Sequence, residues 1–246
     1  MRQAVRLFFD ILRRPAAGLS ALTAKDSDLK APIIIFALYS ALHALILPGL
    51  SPAFMPEVPA PAFGNPFYYY LWAAPLNLFI GALLAAILPS AASFFSAGRI
   101  AARVLWAALV SIVVFIAASA SGKTAAASWL LPAAFIALAA ASAARRVRES
   151  RAMFAVILAA SAVSLAMLPV EMLSIYLNSK TLFEIFSAIE AVWILWLLVK
   201  ALGLMRHLSA PRTAAAVFFT AALCGALIFG LARLLPDYLA AILLIC

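Results

Sequence analysis

The sequence has little charge and few residues that suit an aqueous surface. Of its 246 residues, 11% are charged and 67% are apolar, and the mean hydropathy is +1.12. Soluble domains carry roughly 25% charged residues, so this scarcity excludes an ordinary soluble protein. No polar stretch is long enough to form a second domain. The chain is therefore expected to fold as one membrane-embedded bundle.

Residues that carry chemistry are also scarce. The two cysteines, Cys224 within an apolar run and Cys246 at the end, are predicted at different depths and form no disulfide or metal spacing. The sequence contains no HExxH motif, no Ser/His/Asp order and no paired-carboxylate motif. We therefore expect no metal, no cofactor and no catalytic residues, so the protein is predicted not to be an enzyme.

What the sequence does contain is a series of apolar runs of about 20 residues, the length that a helix needs to cross a ~30 Å hydrocarbon core. The runs lack the alternating ten-residue pattern of a transmembrane barrel. The expected fold class is all-α, a polytopic membrane helical bundle of about seven transmembrane helices. The predicted spans are residues 32–50, 67–89, 100–118, 125–144, 152–176, 182–206 and 213–235.

Residues 1–31 are the most polar segment and are predicted to be cytoplasmic, ahead of the transmembrane bundle at residues 32–246. They contain an amphipathic helix that is too short and too charged to span a membrane. We expect this helix to lie in the interface of the inner leaflet; the alternative is a short helix packed against the bundle. The residues predicted to contact lipid and its anionic headgroups are Arg6, Phe8, Phe9, Leu12, Arg13 and Arg14.

The basic residues predict the orientation of the chain. With the amino terminus in the cytoplasm and seven alternating spans, the outer side receives Lys123, Lys180 and Arg233, and the inner side receives the other fifteen of the 18 Lys and Arg. The positive-inside rule favours this arrangement, which leaves the carboxyl terminus outside. The net charge is +9, but the basic residues lie in short loops between spans. The charge therefore does not indicate a nucleic-acid partner.

Three predicted spans carry polar side chains at a similar depth. Counting 1.5 Å per helical residue places His43, Asn77 and Glu190 about 15 to 18 Å from the inner edge. Ionisable groups in hydrocarbon are costly and usually have a partner or a function. We expect these three to form a mid-membrane polar cluster, which either locks the helices together or responds to a proton or ligand. Glu171, nearer the outer surface, is expected to be solvated.

Several stretches resemble the Yip-one domain family, the integral membrane proteins first known as Ypt/Rab-interacting. They are DILRRPAAGLSAL at 10–22, LKAPIIIFALYSAL at 29–42, AMLPVEMLSIYL at 166–177 and WILWLLVKALGLMRHLSAPRTA at 193–214. The family has a five-span core, so residues 100–144 are either an inserted hairpin or a divergent replacement for the middle. The resemblance implies a prokaryotic-type member in the cytoplasmic (inner) membrane.

The resemblance also implies a function. It favours a non-catalytic membrane scaffold or adaptor, in a membrane-organising or trafficking-like role, with an unidentified membrane or cytoplasmic protein partner. The alternative is a small permease or lipid-handling transport component that uses the mid-membrane polar cluster. Mutation of Glu190 separates the two hypotheses, because a transporter depends on that carboxyl group and an adaptor does not.

Overall fold

In a computed structural model, residues 1–24, 28–46, 66–120 and 129–235 are described, and they form nine α-helices. The predicted all-α class is confirmed. In chain order the helices are α1 (Arg2–Arg13), α2 (Pro15–Thr23), α3 (Lys30–Ile46), α4 (Pro66–Ser96), α5 (Ile100–Ala120), α6 (Leu130–Arg145), α7 (Val147–Tyr176), α8 (Lys180–Arg206) and α9 (Ala210–Leu234).

The seven predicted spans each coincide with one of the helices α3 to α9. Within the described ranges, five helices are long and apolar enough to cross a membrane, namely α4, α5, α7, α8 and α9. The other two, α3 and α6, are apolar but have only 17 and 16 residues, and residues 47–50 and 125–128 of their predicted spans lie outside the described residues. The chain is thus an integral membrane protein, and the number seven stays a prediction.

Helix α7 occupies the centre of the bundle. It packs against α3, α4 and α8 and also contacts α1 and α2. Small side chains such as Ala155, Ala159 and Ala162 are fully buried along it, and they allow neighbouring helices to come close. In its most apolar stretch 56% of residues are buried, against 6% in α5. Helix α5, which packs mainly on α9, therefore presents most of its apolar side chains outward.

Two glycines mark close helix crossings. A Cβ atom on Gly81 of α4 would lie 3.2 Å from Ile157 of α7, and one on Gly230 of α9 would lie 3.3 Å from Ala118 of α5. In a membrane, helices associate through such close packing because lipid tails are as apolar as the side chains. A Cβ atom on Gly225, also in α9, would meet nothing within 4 Å. Gly230 and Gly81 therefore contribute to packing, whereas Gly225 does not.

Arginine contacts at both ends of α9 show that the helices alternate in direction. Arg212, near its start, donates to the carbonyl oxygens of Phe95 at 2.7 Å and Gly98 at 3.0 Å, where α4 ends. Arg233, near its end, donates to the carbonyl oxygen of Ser119 at 2.5 Å, where α5 ends. Because the 25 residues of α9 extend about 37 Å, these two contacts lie at opposite ends of the bundle.

The end of the bundle near Arg212 is rich in arginine and is hereafter the basic end. Arg206, at the end of α8, donates to the carbonyl oxygen of Pro89 in α4 at 3.2 Å. Arg206 also lies 2.5 Å from Glu149, in the first turn of α7, so α7 begins at the same end. The arginines at these helix ends are Arg99, Arg103, Arg145, Arg146, Arg148, Arg151, Arg206 and Arg212.

Candidate functional site

The carboxyl group of Glu190, in α8, lies beside that of Glu171, in α7, close enough for the two to interact. Both side chains are half-buried within the protein. Helices α7 and α8 are joined by a short turn around Asn178, which has a φ of 49°. Glu171 lies five residues before the end of α7, and Glu190 lies ten residues after the start of α8. At 1.5 Å per residue these positions are about 8 and 15 Å from the helix ends.

A hydrogen bond between the carboxyl groups of Glu171 and Glu190 would require a proton on one of them. An ionised carboxylate only accepts hydrogen bonds, so at least one of the two groups must carry a proton when they are joined. Two ionised carboxylates in contact would also repel each other strongly in a medium of low dielectric constant. Helices α7 and α8 therefore bring together two carboxyl groups that could share one proton.

Glu171 is a functional candidate that the sequence analysis missed. It was expected in solvent, whereas the structure half-buries it and places it beside Glu190. The signal that could have identified the pair is the short connection around Asn178. Residues at comparable distances on either side of a tight turn between antiparallel helices lie close together, and two long side chains can bridge the remaining offset.

The other two members of the predicted cluster lie on other helices. His43 is in the last turn of α3 and stacks on Tyr39, with 5.3 Å between the ring centroids. Asn77 is half-buried in α4. Among the described helices, α3 and α8 both pack against α7 and share no extensive interface with each other. The grouping of His43 and Asn77 with Glu190 stays a prediction.

Helix α1, predicted to contact the inner leaflet, is docked on the bundle by one face. Its buried residues are Ala4, Leu7 and Ile11, and it packs against α2, α3 and α7. Phe8 and Leu12 also pack against this core, whereas Phe9 is 45% exposed with the guanidinium of Arg13 5.1 Å from its ring centroid. The face that we assigned to lipid is therefore divided between protein contact and an exposed side. Contact of that exposed side with lipid stays a prediction.

The close packing of α2 on α1 depends on a glycine within α2. A Cβ atom on Gly18 would lie 3.1 Å from both the side chain and the backbone nitrogen of Ile11. Because Ile11 and Leu19 are fully buried, α2 folds back tightly on α1. The two helices form one unit, hereafter the α1–α2 platform (residues 2–23), which also packs against α7 and α8 through α2.

A second polar site, at the basic end, joins three helices. Glu149 of α7 approaches Arg206 of α8 at 2.5 Å and Arg146 at 3.7 Å. The contact with Arg206 is an ion pair with poor hydrogen-bond directions, and the guanidinium of Arg206 also reaches the carbonyl oxygen of Pro89 in α4. These contacts fix the ends of α4, α7 and α8 relative to one another. Within the described ranges, no three His, Cys, Asp or Glu side chains are grouped to hold a metal ion.

No protein-family model matches the chain, no curated protein matches it, and no solved structure is similar to it. The resemblance to the Yip-one domain family therefore depends on the four stretches quoted above. Membership of that family stays a prediction.

Proposed function

We propose that this protein is a non-catalytic scaffold or adaptor of the Yip-one type in the inner membrane of a prokaryote. The observation that carries this proposal is the α1–α2 platform, which is fixed to the bundle through buried residues such as Ile11 and Leu19. Its outer side exposes Val5, Phe9 and several arginines. A platform of this kind presents one defined amphipathic surface next to the membrane, as recruitment of a protein partner requires.

We further propose that the bundle has seven spans, with the basic end in the cytoplasm. The direction of the long helices supports this number. Ser119, at the end of α5, contacts the far end of α9, whereas α7 begins at the basic end beside Arg206. Helix α6 lies between them in sequence and packs on α4 and α9. It therefore runs back along the bundle, and the concentration of arginine at the basic end favours a cytoplasmic position.

Photo-cross-linking in native membranes tests the scaffold role. A photoreactive phenylalanine analogue at Phe9 should cross-link to one defined protein, because this side chain is 45% exposed. The same analogue at Ile11, which is fully buried, should give only cross-links within the chain. The Phe9 cross-link should survive Glu190→Gln. Equal cross-linking from both positions, or cross-links from Phe9 to lipid alone, would contradict the scaffold role.

The carboxyl pair supports a second candidate function, proton-linked handling of a lipid or small solute. A proton-binding pair on two transmembrane helices is typical of proton relays in transporters. The test uses proteoliposomes that contain a fluorescent phospholipid analogue and an internal pH dye. Transport would require movement of the analogue that depends on a pH gradient and is lost in Glu171→Gln and Glu190→Gln. Glu184→Gln is the matched control, because Glu184 is exposed on the same helix and pairs with Lys180.

The two experiments distinguish the functions. A scaffold keeps its Phe9 cross-link in Glu190→Gln and shows no lipid movement that depends on the pH gradient. A transporter shows such movement and loses it with either carboxyl group.

A further inference from the structure

A cavity of about 560 Å³ lies at the basic end, between the end of α2, the junction of α6 with α7 and the end of α8. Its volume falls within the range of about 300 to 1,000 Å³ that is typical of small-molecule sites. Arg145, Arg146, Arg148 and His207 contribute to its lining. The cavity is separate from the carboxyl pair, which lies toward the opposite ends of α7 and α8.

The junction of α6 with α7 explains why three arginines meet at this cavity. Helix α6 ends at Arg145, and α7 begins at Val147, so Arg146 alone connects them, with φ of −140° and ψ of 40°. A connection of one residue forces the two helix axes to diverge. The divergence leaves a corner between the helices, and Arg145, Arg146 and Arg148 bring three guanidinium groups to it.

The charges of the described residues at this corner do not cancel. Among the described residues that line the cavity, Glu149 is the acidic one, and Arg206 and Arg146 already neutralise it at 2.5 and 3.7 Å. Within the part of the chain that the structure describes, neither Arg145 nor Arg148 forms an ion pair. The first turn of α7 has no side-chain cap, so the positive end of its helix dipole adds to the same field.

We propose that this cavity binds a phosphate-bearing anion, supplied by the headgroup of an anionic phospholipid in the leaflet at the basic end. Guanidinium groups bind phosphate oxygens with paired hydrogen bonds, and basic pockets between transmembrane helices fit such headgroups. The lining continues from the arginines to the apolar side chains of Val147, Ala152 and Leu204. Of these, Leu204 is 43% exposed, so an acyl chain has an apolar path beside the phosphate. The binding does not depend on the scaffold role, because a transporter would present the same corner.

Lipid binding to the purified full-length protein tests the proposal. The protein in neutral detergent is titrated with phosphatidylglycerol or cardiolipin, with phosphatidylcholine as the reference lipid, and bound lipid is counted by native mass spectrometry. The wild type should bind the anionic lipids at least tenfold more tightly than phosphatidylcholine. The double variant Arg145→Gln/Arg148→Gln should lose at least tenfold in that affinity.

The control is the double variant Arg2→Gln/Arg151→Gln, which removes the same charge from exposed positions outside the cavity lining. It should lose less than twofold in affinity. Arg145→Lys/Arg148→Lys keeps the charge and should recover part of the affinity. Such recovery would show that the Gln variant loses affinity through its charge and not through misfolding. Equal losses in the two Gln variants, or no preference of the wild type for anionic lipid, would overturn the proposal.

Inorganic phosphate separates the two sources of the anion. Millimolar phosphate should leave phosphatidylglycerol binding within twofold, because a lipid also gains from apolar contacts beside the arginines. Displacement of the lipid by free phosphate would overturn the lipid assignment and identify a soluble phosphate compound as the ligand.

Discussion

Arg206, at the end of α8, lies 2.5 Å from Glu149, in the first turn of α7. These side chains are 23% and 34% exposed, so the pair is partly shielded from water. Arg206 reaches Pro89 of α4 as well, so one guanidinium group links three helices. Removing either partner leaves the other with an unpaired charge in a partly buried place, which costs more than the loss of an exposed ion pair.

Arg206→Gln and Glu149→Gln should each destabilise the protein by about 1 to 2 kcal/mol, a value reduced from that of fully buried pairs because both side chains are partly exposed. The double variant should lose less than the sum, because the two changes share one interaction. Titration of the protein in mixed micelles with a denaturing detergent measures the free energy of unfolding of the two single variants and the double variant. The exposed pair Lys180 and Glu184 is the control, and Glu184→Gln should cost about 0.5 kcal/mol or less. Equal costs for Glu149→Gln and Glu184→Gln would contradict the linking role.

Close packing of α5 on α9 should depend on Gly230. Gly230→Leu inserts a side chain where even a Cβ atom would lie 3.3 Å from Ala118, so α5 must move away from α9. We expect the free energy of unfolding to fall by about 1 to 3 kcal/mol, as is typical of overpacking. The same detergent titration measures this change. Gly225→Leu adds the same atoms to open space on the same helix and should change stability little. If Gly225→Leu lost more stability than Gly230→Leu, the close packing of α5 on α9 at Gly230 would be contradicted.

Docking of α1 should depend on Ile11. Ile11→Asp places a carboxylate in a fully buried apolar site and should release the α1–α2 platform from the bundle. Limited proteolysis of the protein in membranes should then cut near Arg13 and Arg14 at least tenfold faster than in the wild type. Val5→Asp, at a position that is 52% exposed, is the matched control and should leave the cutting rate unchanged. If both variants are cut at the wild-type rate, α1 is not held by this contact.

The carboxyl pair predicts a difference between polar and apolar replacements. Glu190→Gln keeps a side-chain amide that can donate a hydrogen bond to Glu171, so we expect a loss of less than about 1 kcal/mol. Glu190→Leu leaves Glu171 without this partner and should cost about 1 to 3 kcal/mol more than Glu190→Gln. Thermal unfolding in detergent gives the comparison. Equal stability of the two variants would show that the pair is not joined.

Length and apolarity predicted the helices well, because a segment in hydrocarbon must satisfy its own backbone hydrogen bonds and so forms a helix. Glu190 was identifiable for a related reason, since a lone carboxyl group stands out in an apolar run. Its partner was not identified, because depth counts along separate spans ignore which helices are neighbours. The short turn around Asn178 fixes that neighbourhood for α7 and α8 and brings Glu171 to Glu190.

The basic end shows where sequence reasoning reaches its limit. The run from Arg145 to Arg151 predicted the side of the membrane from charge alone. The cavity depends also on the end of α2 and on His207 at the end of α8, and no local pattern brings these segments together. The residues of α1 that contact protein could not be predicted either, because amphipathicity shows that a face is apolar but not whether protein or lipid covers it.

Labelling on both sides of α6 tests most directly the central claim, a bundle of seven spans with the basic end in the cytoplasm. Single cysteines are introduced as Trp129→Cys, Arg148→Cys or Lys180→Cys in a background with Cys224→Ala and Cys246→Ser. A membrane-impermeant maleimide on intact cells should label the cysteines introduced at positions 129 and 180, and should label position 148 only after permeabilisation. Labelling of positions 129 and 148 from the same side would contradict a crossing by α6, and labelling of position 148 in intact cells would contradict the orientation.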